Sequence, residues 1–267
     1  MRKVSPKIWK IAETRLNNDQ VEEWLTYLNG QECLEHVSGN DGEKLVELAG
    51  RRCYKSFKIG LNPNVTKIRK QSSEYHQNVM KAKHGSIYEH VVVTFAMEGI
   101  SRVELMEQNR HRPGTAISQE SLRYVRLNDI EFWIPNVFSE FGEEKYQQAV
   151  ELTQSVVETC ERAQSKFAEI FGIDGIKEFD IKKKLTSAFR RLAPEGLATG
   201  IVWSCNLRSL RHIIEVRTNR HAEEEIRLVF GLVAEMMIRD YPMIFGDFKK
   251  VDTHDGLFEY VPEHSKI

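Results

Sequence analysis

The stretch Glu107-Gln-Asn-Arg-His-Arg-Pro-Gly-Thr-Ala-Ile-Ser-Gln-Glu-Ser-Leu-Arg-Tyr-Val125 crowds three arginines and a histidine among short hydroxyl and amide side chains. Arginine presents a rigid fork of donors that fits phosphate bidentately and does not lose its charge. Arg110, Arg112 and Arg123 therefore repel one another unless an anion sits among them. The bland reading is a solvated basic loop. Against it, apolar periodic sequence flanks the run on both sides, so the segment joins two packed elements.

Upstream, Glu43 to Ser56 reads as a helix, Asn62-Pro63-Asn64 breaks the chain, and a second helix is predicted from about Thr66 to Lys83. Glu89 to Met97 is β-branched and aromatic, which predicts a buried strand ended by Gly99. Ser101-Arg-Val-Glu104 has the capping-box pattern and predicts a helix to about Asn109, placing Arg110 to Arg112 at a helix-to-loop junction. Downstream, Asp129 to Ile134 reads as a strand stopped by Pro135. Glu143 to Phe171 carries the longest apolar stripe near a 3.6-residue period, a scaffold or an oligomer contact.

A second basic cluster follows a predicted strand over Thr199 to Ser204. In a helix beginning near Asn206, Arg208 sits above His212 and Arg217 above His221, while Leu210, Ile213 and Ile214 form the apolar side. Read alone, this is an exposed basic face paired with Glu215, Glu223 and Glu224.

The chain has 267 residues, 41% of them hydrophobic, which is enough for a real core. No repeat or Pro/Gly/Ser-rich linker divides it, so residues 1–267 are expected to form one domain. Its 38 basic and 39 acidic side chains leave a net charge of -1, and no global field draws it to nucleic acid or to a membrane. Anion recognition must be local. Cys33, Cys53, Cys160 and Cys205 lie far apart with no CxxC pair, which fits neither a disulfide framework nor a zinc knuckle and suits a cytoplasmic protein. His84 and His90 have no third ligand at a zinc-like spacing, so no metal is expected. His90, entering a buried strand, reads as a hydrogen-bonded core residue. No stretch of 18 apolar residues occurs, and no GxGxxG follows a strand.

Three blocks together resemble the flavin-dependent thymidylate synthases. The first is Arg110-His111-Arg112 with Ser118-Gln119, Ser121 and Arg123-Tyr124; eight residues separate Arg112 from Ser121, one more than in the family, and the Pro113-Gly114 turn is where an insertion is absorbed. The second is Lys83-His-Gly-Ser-Ile-Tyr-Glu-His90, with Lys83 where the family has glycine. The third comprises Asn206, Arg208, His212, Arg217 and His221, with Arg190-Arg-Leu-Ala-Pro194 upstream, where Ala193 replaces the usual leucine. The likeness spans about residues 46–241 and leaves 1–40 as an extension without a motif.

The resemblance implies an α+β fold, a mainly antiparallel sheet flanked by long helices, assembled as a homotetramer with shared active sites. It implies reductive methylation of dUMP to dTMP with FAD as cofactor, methylenetetrahydrofolate as carbon donor and NADPH as electron source. Side chains alone supply no hydride, and none of the four cysteines sits in the Pro-Cys-His setting of the cysteine-dependent enzymes. Under this resemblance Ser86, Arg110, His111, Arg112, Gln119, Asn206, Arg208 and His212 hold FAD. Glu107, Gln108, Ser121, Leu122 (through its backbone), Arg123 and Arg190 bind substrate, and His84 contacts folate or flavin. Arg217 faces the uracil ring, where a fixed cation favours negative charge at N3 or O4 and makes C5 more nucleophilic. Three rivals remain: methylation or hydroxymethylation of another pyrimidine nucleotide on the same scaffold, a nucleic-acid-binding module using the arginine clusters, and a degenerate flavoprotein without synthase activity.

Overall fold

The computed structural model describes residues 1–121 and 129–266. In chain order its elements are β1 (Arg2–Val4), β2 (Lys7–Glu13), α1 (Asn18–Tyr27), α2 (Asp41–Tyr54), α3 (Ser72–Lys81), β3 (Val92–Ser101), α4 (Arg102–Gln108) and β4 (Thr115–Gln119). There follow β5 (Glu131–Trp133), α5 (Glu143–Ile170), α6 (Phe179–Phe189), β6 (Ala198–Asn206), α7 (Leu207–Arg217), α8 (Glu224–Asp240), α9 (Pro242–Phe245), β7 (Phe248–Asp252) and β8 (Phe258–Pro262).

The central sheet has the order β2-β3-β6-β4 and is antiparallel throughout. Strand alternation decides which face packs. Val93, Phe95 and Met97 of β3 stand opposite Cys205, Trp203 and Ile201 of β6, and all six are buried. Against them lie Leu210, Ile213 and Ile214 of α7 and Ile226, Val229, Phe230 and Val233 of α8. The Trp203 ring meets Phe230 edge-on at 5.7 Å. Fully burying each such side chain stabilises the fold by about 1.5–3 kcal/mol. The opposite face stays half open: Trp9, Val92 and Val202 are 48%, 40% and 42% exposed. Residues 7–13 belong to this sheet as the edge strand β2, so part of the motif-free amino-terminal region is built into the sheet.

Several predicted boundaries move. The second helix begins at Ser72, because the preceding backbone is spoken for: the carbonyl of Arg69 accepts from Arg51 at 2.8 Å and Gln71 is extended. Gly99 does not end β3. It sits at φ +70 inside a bulge between Met97 and Ile100, where a Cβ would come 2.8 Å from the carbonyl of Ser5. α7 stops at Arg217, where the hydroxyl of Thr218 donates back to the carbonyl of Ile214, so His221 lies beyond the helix and does not stack under Arg217. His90 is exposed and is not a core residue.

His76, on the inner side of α3, is fully buried, and burial together with the nearby Arg51 charge holds its imidazole at about 4. The unfolded chain takes up that proton below about pH 6.5. Its contribution is therefore complete above pH 6.5 and is lost as pH falls from 6.5 towards 4. Between pH 7 and pH 5 this residue alone should cost about 2 kcal/mol of unfolding free energy. Urea midpoints at the two pH values measure it, and His76→Asn should flatten the difference.

Candidate active site

α4 starts on Ser101, whose hydroxyl accepts from the amide of Glu104 at 3.1 Å as the capping pattern predicts. The reciprocal half is different. The amide of Ser101 donates to Glu225 of α8 at 2.6 Å, its hydroxyl also meets that carboxylate, and Glu104 is buried beneath. Burial, then the charges of Glu225 and Glu223, push the Glu104 carboxyl well above its usual range. Glu225 is pushed up to about 7, chiefly by burial. This buried acid layer, pinning α4 to α8, had no visible sign in the sequence, where Glu104 reads only as a cap and Glu223 as a surface partner.

On top of it the two basic blocks converge. Arg217 Nη1 donates to Glu107 Oε2 at 2.6 Å, Nη2 to the Glu107 carbonyl at 3.0 Å and Nε to His111 Nε2 at 2.6 Å. Arg110 donates to the same Glu107 carboxylate at 3.0 Å. Burial opposes ionisation of Glu107, yet the two arginines hold it below the usual carboxylate range. For His111, burial first and then the charge of Arg217 lower the ring to about 4. The ring is therefore neutral, accepts at Nε2 and carries its proton on Nδ1. His212 approaches it edge-on with centroids 6.2 Å apart.

α7 is aimed by its amino end. The side chain of Asn206 accepts from the amide of Ser209 at 2.8 Å, a cap, and the backbone amide of Asn206 donates to the carbonyl of Gly114 at 2.9 Å. A side chain at Gly114, whose φ is +70, would collide with that of Asn206. The Asn206 side-chain oxygen is thus committed to helix geometry rather than turned to a ligand. Arg208 pairs with Glu89, and both line a groove of about 430 Å³ with Pro113, Ser209 and His212. Ser86, in the preceding 3-10 turn Gly85–His90, is exposed, as is Arg112.

A second groove, about 480 Å³, gathers Gln119, Ser121, Arg190 and Arg191 with Arg102. Arg102 escaped the sequence reading because it lies inside the capping pattern. Its Nη2 donates to the carbonyl of Glu120 at 3.1 Å, while its Nε is buried without a hydrogen-bond partner among the described residues. Burial and the nearby Arg190 charge lower its affinity for its proton. Arg102, Arg190 and Arg191 outnumber Glu120 and Glu195 along this groove, an excess of positive charge that suits an anion. β4 links the two grooves, its four steps from Thr115 to Gln119 spanning about 13 Å.

Other expected site residues fall elsewhere. Gln108 is buried; its amide faces Glu104 and the Met97 sulfur, inside the protein rather than towards a ligand. His84 is exposed and stacks on Tyr54, with centroids 5.6 Å apart. Leu122 and Arg123 lie outside the described residues. Among the described residues no group of three or more His, Cys, Asp or Glu side chains could hold a metal ion, and no helix is long and apolar enough to cross a membrane.

The family profile described as Thymidylate synthase complementing protein matches residues 34–243. The flavin-dependent thymidylate synthase of Mycobacteroides abscessus is 32% identical over 223 residues, covering 82% of this chain and 85% of that protein. Its counterpart from Mycolicibacterium gilvum is 29% identical over 260 residues, 96% of this chain and 95% of that protein. Among solved structures, the UMP/dUMP methylase PolB from Streptomyces cacaoi bound with 5-Br UMP superposes with a TM-score of 0.62 at 16% identity, over 92% of this chain and 94% of that one. Thymidylate Synthase X from Helicobacter pylori, solved with FAD and dUMP, gives 0.57 at 19% identity, over 91% and 98%. At such identities these two structures bear on the fold alone.

Proposed function

Since the chain belongs to the flavin-dependent thymidylate synthase family, we propose that it converts dUMP to dTMP, using FAD, methylenetetrahydrofolate and NADPH. The observation that carries this reading is the junction of Arg217 with Glu107 and His111, which joins segments 106 and 110 residues apart into one polar cluster. The residues present fit a flavin nucleotide in chemistry: exposed Arg110 and Arg112 for its pyrophosphate, and the groove of Arg208 and His212 for the remainder. Ser86 is exposed and free to join that set, whereas Gln119 lies at the far end of β4 in the groove of Arg190. When bound, reduced flavin supplies the hydride that side chains lack.

The chain's own groups divide the rest of the work. Arg190, Ser121 and Arg102 take the nucleotide phosphate. Arg217 is oriented by Glu107 and His111 so that its remaining charge faces the pyrimidine, where it stabilises negative charge at N3 or O4 as C5 attacks the one-carbon unit. Each unit by which it lowers the N3 pKa corresponds to about 1.4 kcal/mol. The neutral His111 accepts from Arg217 without competing for the carboxylate. One chain presents the phosphate groove and Arg217 as separate clusters, which supports active sites completed between subunits of a homotetramer.

The test is direct. Protein purified with FAD should be yellow, lose its flavin band anaerobically with NADPH, and yield dTMP by mass spectrometry when dUMP and methylenetetrahydrofolate are added. A preparation that stays colourless after FAD addition ends the reading. A second reading, methylation of UMP, is favoured by the fold shared with PolB; equal turnover of UMP in the same assay would select it.

A further inference from the structure

We propose that the surface formed by the carboxyl ends of α2 and α3 binds the anionic oligo-γ-glutamyl tail of the folate cosubstrate, with Lys55 and Lys83 as its contacts. The proposal rests on the function read above and goes beyond it by naming where a repeating polycarboxylate is recognised.

Charge is the first ground. In a chain of net charge -1, residues 51–84 hold nine lysines and arginines against one acidic residue, Glu74. Arg51 is withdrawn into the interior and paired with Glu47, Lys58 leans to Glu32 at 3.6 Å, and Arg69 donates to Asn78. Arg52, Lys55, Lys81 and Lys83 remain exposed around the two helix ends. Glu74 lies in the first turn of α3, seven residues and about 10 Å from Lys81. Cations are at home at helix carboxyl ends, which carry roughly half a negative charge each. Two such half charges offset about one of the four cations, so a surplus of about three remains.

Backbone geometry is the second. Lys55 and Lys83 have φ of 49 and 56, in the left-handed region that disfavours every residue with a side chain except Asn and Asp. Lys83 stands where the family signature has glycine, so this chain keeps a cation at a position that glycine would occupy without strain.

Placement is the third. Lys55 follows Tyr54 and Lys83 precedes His84, and the Tyr54 hydroxyl lies 3.0 Å from His84 Nδ1, so this stacked pair joins the two segments that carry the lysines. His84 opens the 3-10 turn that ends beside Glu89 and the Arg208 groove, about 10 Å along the turn. A folate whose pterin reacts at the flavin carries its glutamyl carboxylates at the opposite end of an aminobenzoyl spacer, and the turn Gly85–His90 joins this platform to that groove. Lysine, a point charge on a flexible stem, suits a tail of repeating carboxylates without fixed geometry.

The experiment titrates the full protein with pteroylpentaglutamate and pteroylmonoglutamate by calorimetry and measures KM for the corresponding methylenetetrahydrofolates. The pentaglutamate should bind about tenfold tighter, an advantage that disappears in 0.5 M salt as charge contacts are screened. It should fall to about threefold in Lys55→Ala or Lys83→Gly and vanish in the double variant; glycine accepts the left-handed backbone, so the second variant folds. Equal affinities in the unsubstituted protein, or an undiminished ratio in the double variant, overturn the proposal. If dTMP forms with equal KM for both folates, only the tail site falls. If neither compound binds and no dTMP forms, the functional reading falls and takes this one with it. A hexathymidylate that displaces the pentaglutamate at matching concentration would mark a nucleic-acid surface instead and also overturns it.

Discussion

Arg217→Ala is expected to lower dTMP formation about a thousand-fold, a loss near 4 kcal/mol, while flavin stays bound. The size follows from what the side chain is asked to do. Three of its five donors are fixed by Glu107 and His111, and its side chain is only 14% exposed, so its charge acts where water screens poorly. Ser209 and Asn206 also tie α7 to this segment, but through the backbone of Pro113 and Gly114, whereas Arg217 brings a charge to it. Arg217→Lys keeps the charge but not the fork, so it reaches either Glu107 or His111 and not both; about a hundred-fold loss is expected there. Flavin absorbance separates the two roles, because a variant that is colourless has lost its cofactor site, whereas a yellow one with normal turnover leaves Arg217 without an activating part.

Arg51→Ala should be the most damaging substitution outside the site. The guanidinium is 1% exposed, donates to Glu47 at 2.6 and 2.9 Å, and holds the carbonyls of Ser56 and Arg69 at 3.0 and 2.8 Å. It also lies over the Tyr75 ring, 5.0 Å from its centroid. Truncation strands the Glu47 carboxylate in the interior, for which about 3–5 kcal/mol is the expected cost. In a chain of this size that corresponds to a melting temperature lower by roughly 10 °C. Arg51→Met combined with Glu47→Leu removes both charges at similar volume and should recover most of the loss, a result that chemical denaturation of the three proteins would show. The same substitution should loosen residues 56–71, whose backbone Arg51 ties to α2.

The parts of this fold that announce themselves are the ones governed by a single element. Leu210, Ile213 and Ile214 follow helical spacing and are buried, and Ser101 caps α4 because a hydroxyl before a helix satisfies an orphan amide regardless of what surrounds it. The misses come where a partner distant in sequence decides. The carbonyl of Arg69 is taken by Arg51, so α3 begins late. Gly99 looks like a stop until Ser5 is seen packed against it. Strand β2 carries Ile8 and Lys10 on its inner side and Trp9 on the open one, too mixed a pattern to read as sheet without β3 beside it. At the site, spacing puts Arg110 and His111 after one helix and Arg217 at the end of another, while Glu107, shared by Arg110 and Arg217, and His111, met by Arg217, join them only in the fold. The buried Glu104 and Glu225, and Arg102 in the second groove, depend on α4 meeting α8 and on the turn at Arg190, neither of which has a local signature.

The amide of Asn206 is held by Gly114, and strand pairing resumes at once with Thr115 opposite Cys205. The carbonyls of Arg112 and Pro113 are tied in as well, the first to the Thr115 hydroxyl and the second to that of Ser209 on α7. A single methyl group at residue 114 would therefore dislodge the cap of α7 and with it the aim of Arg217. Any change in hairpin length that spares catalytic aim has to fall outside this knot of consecutive residues.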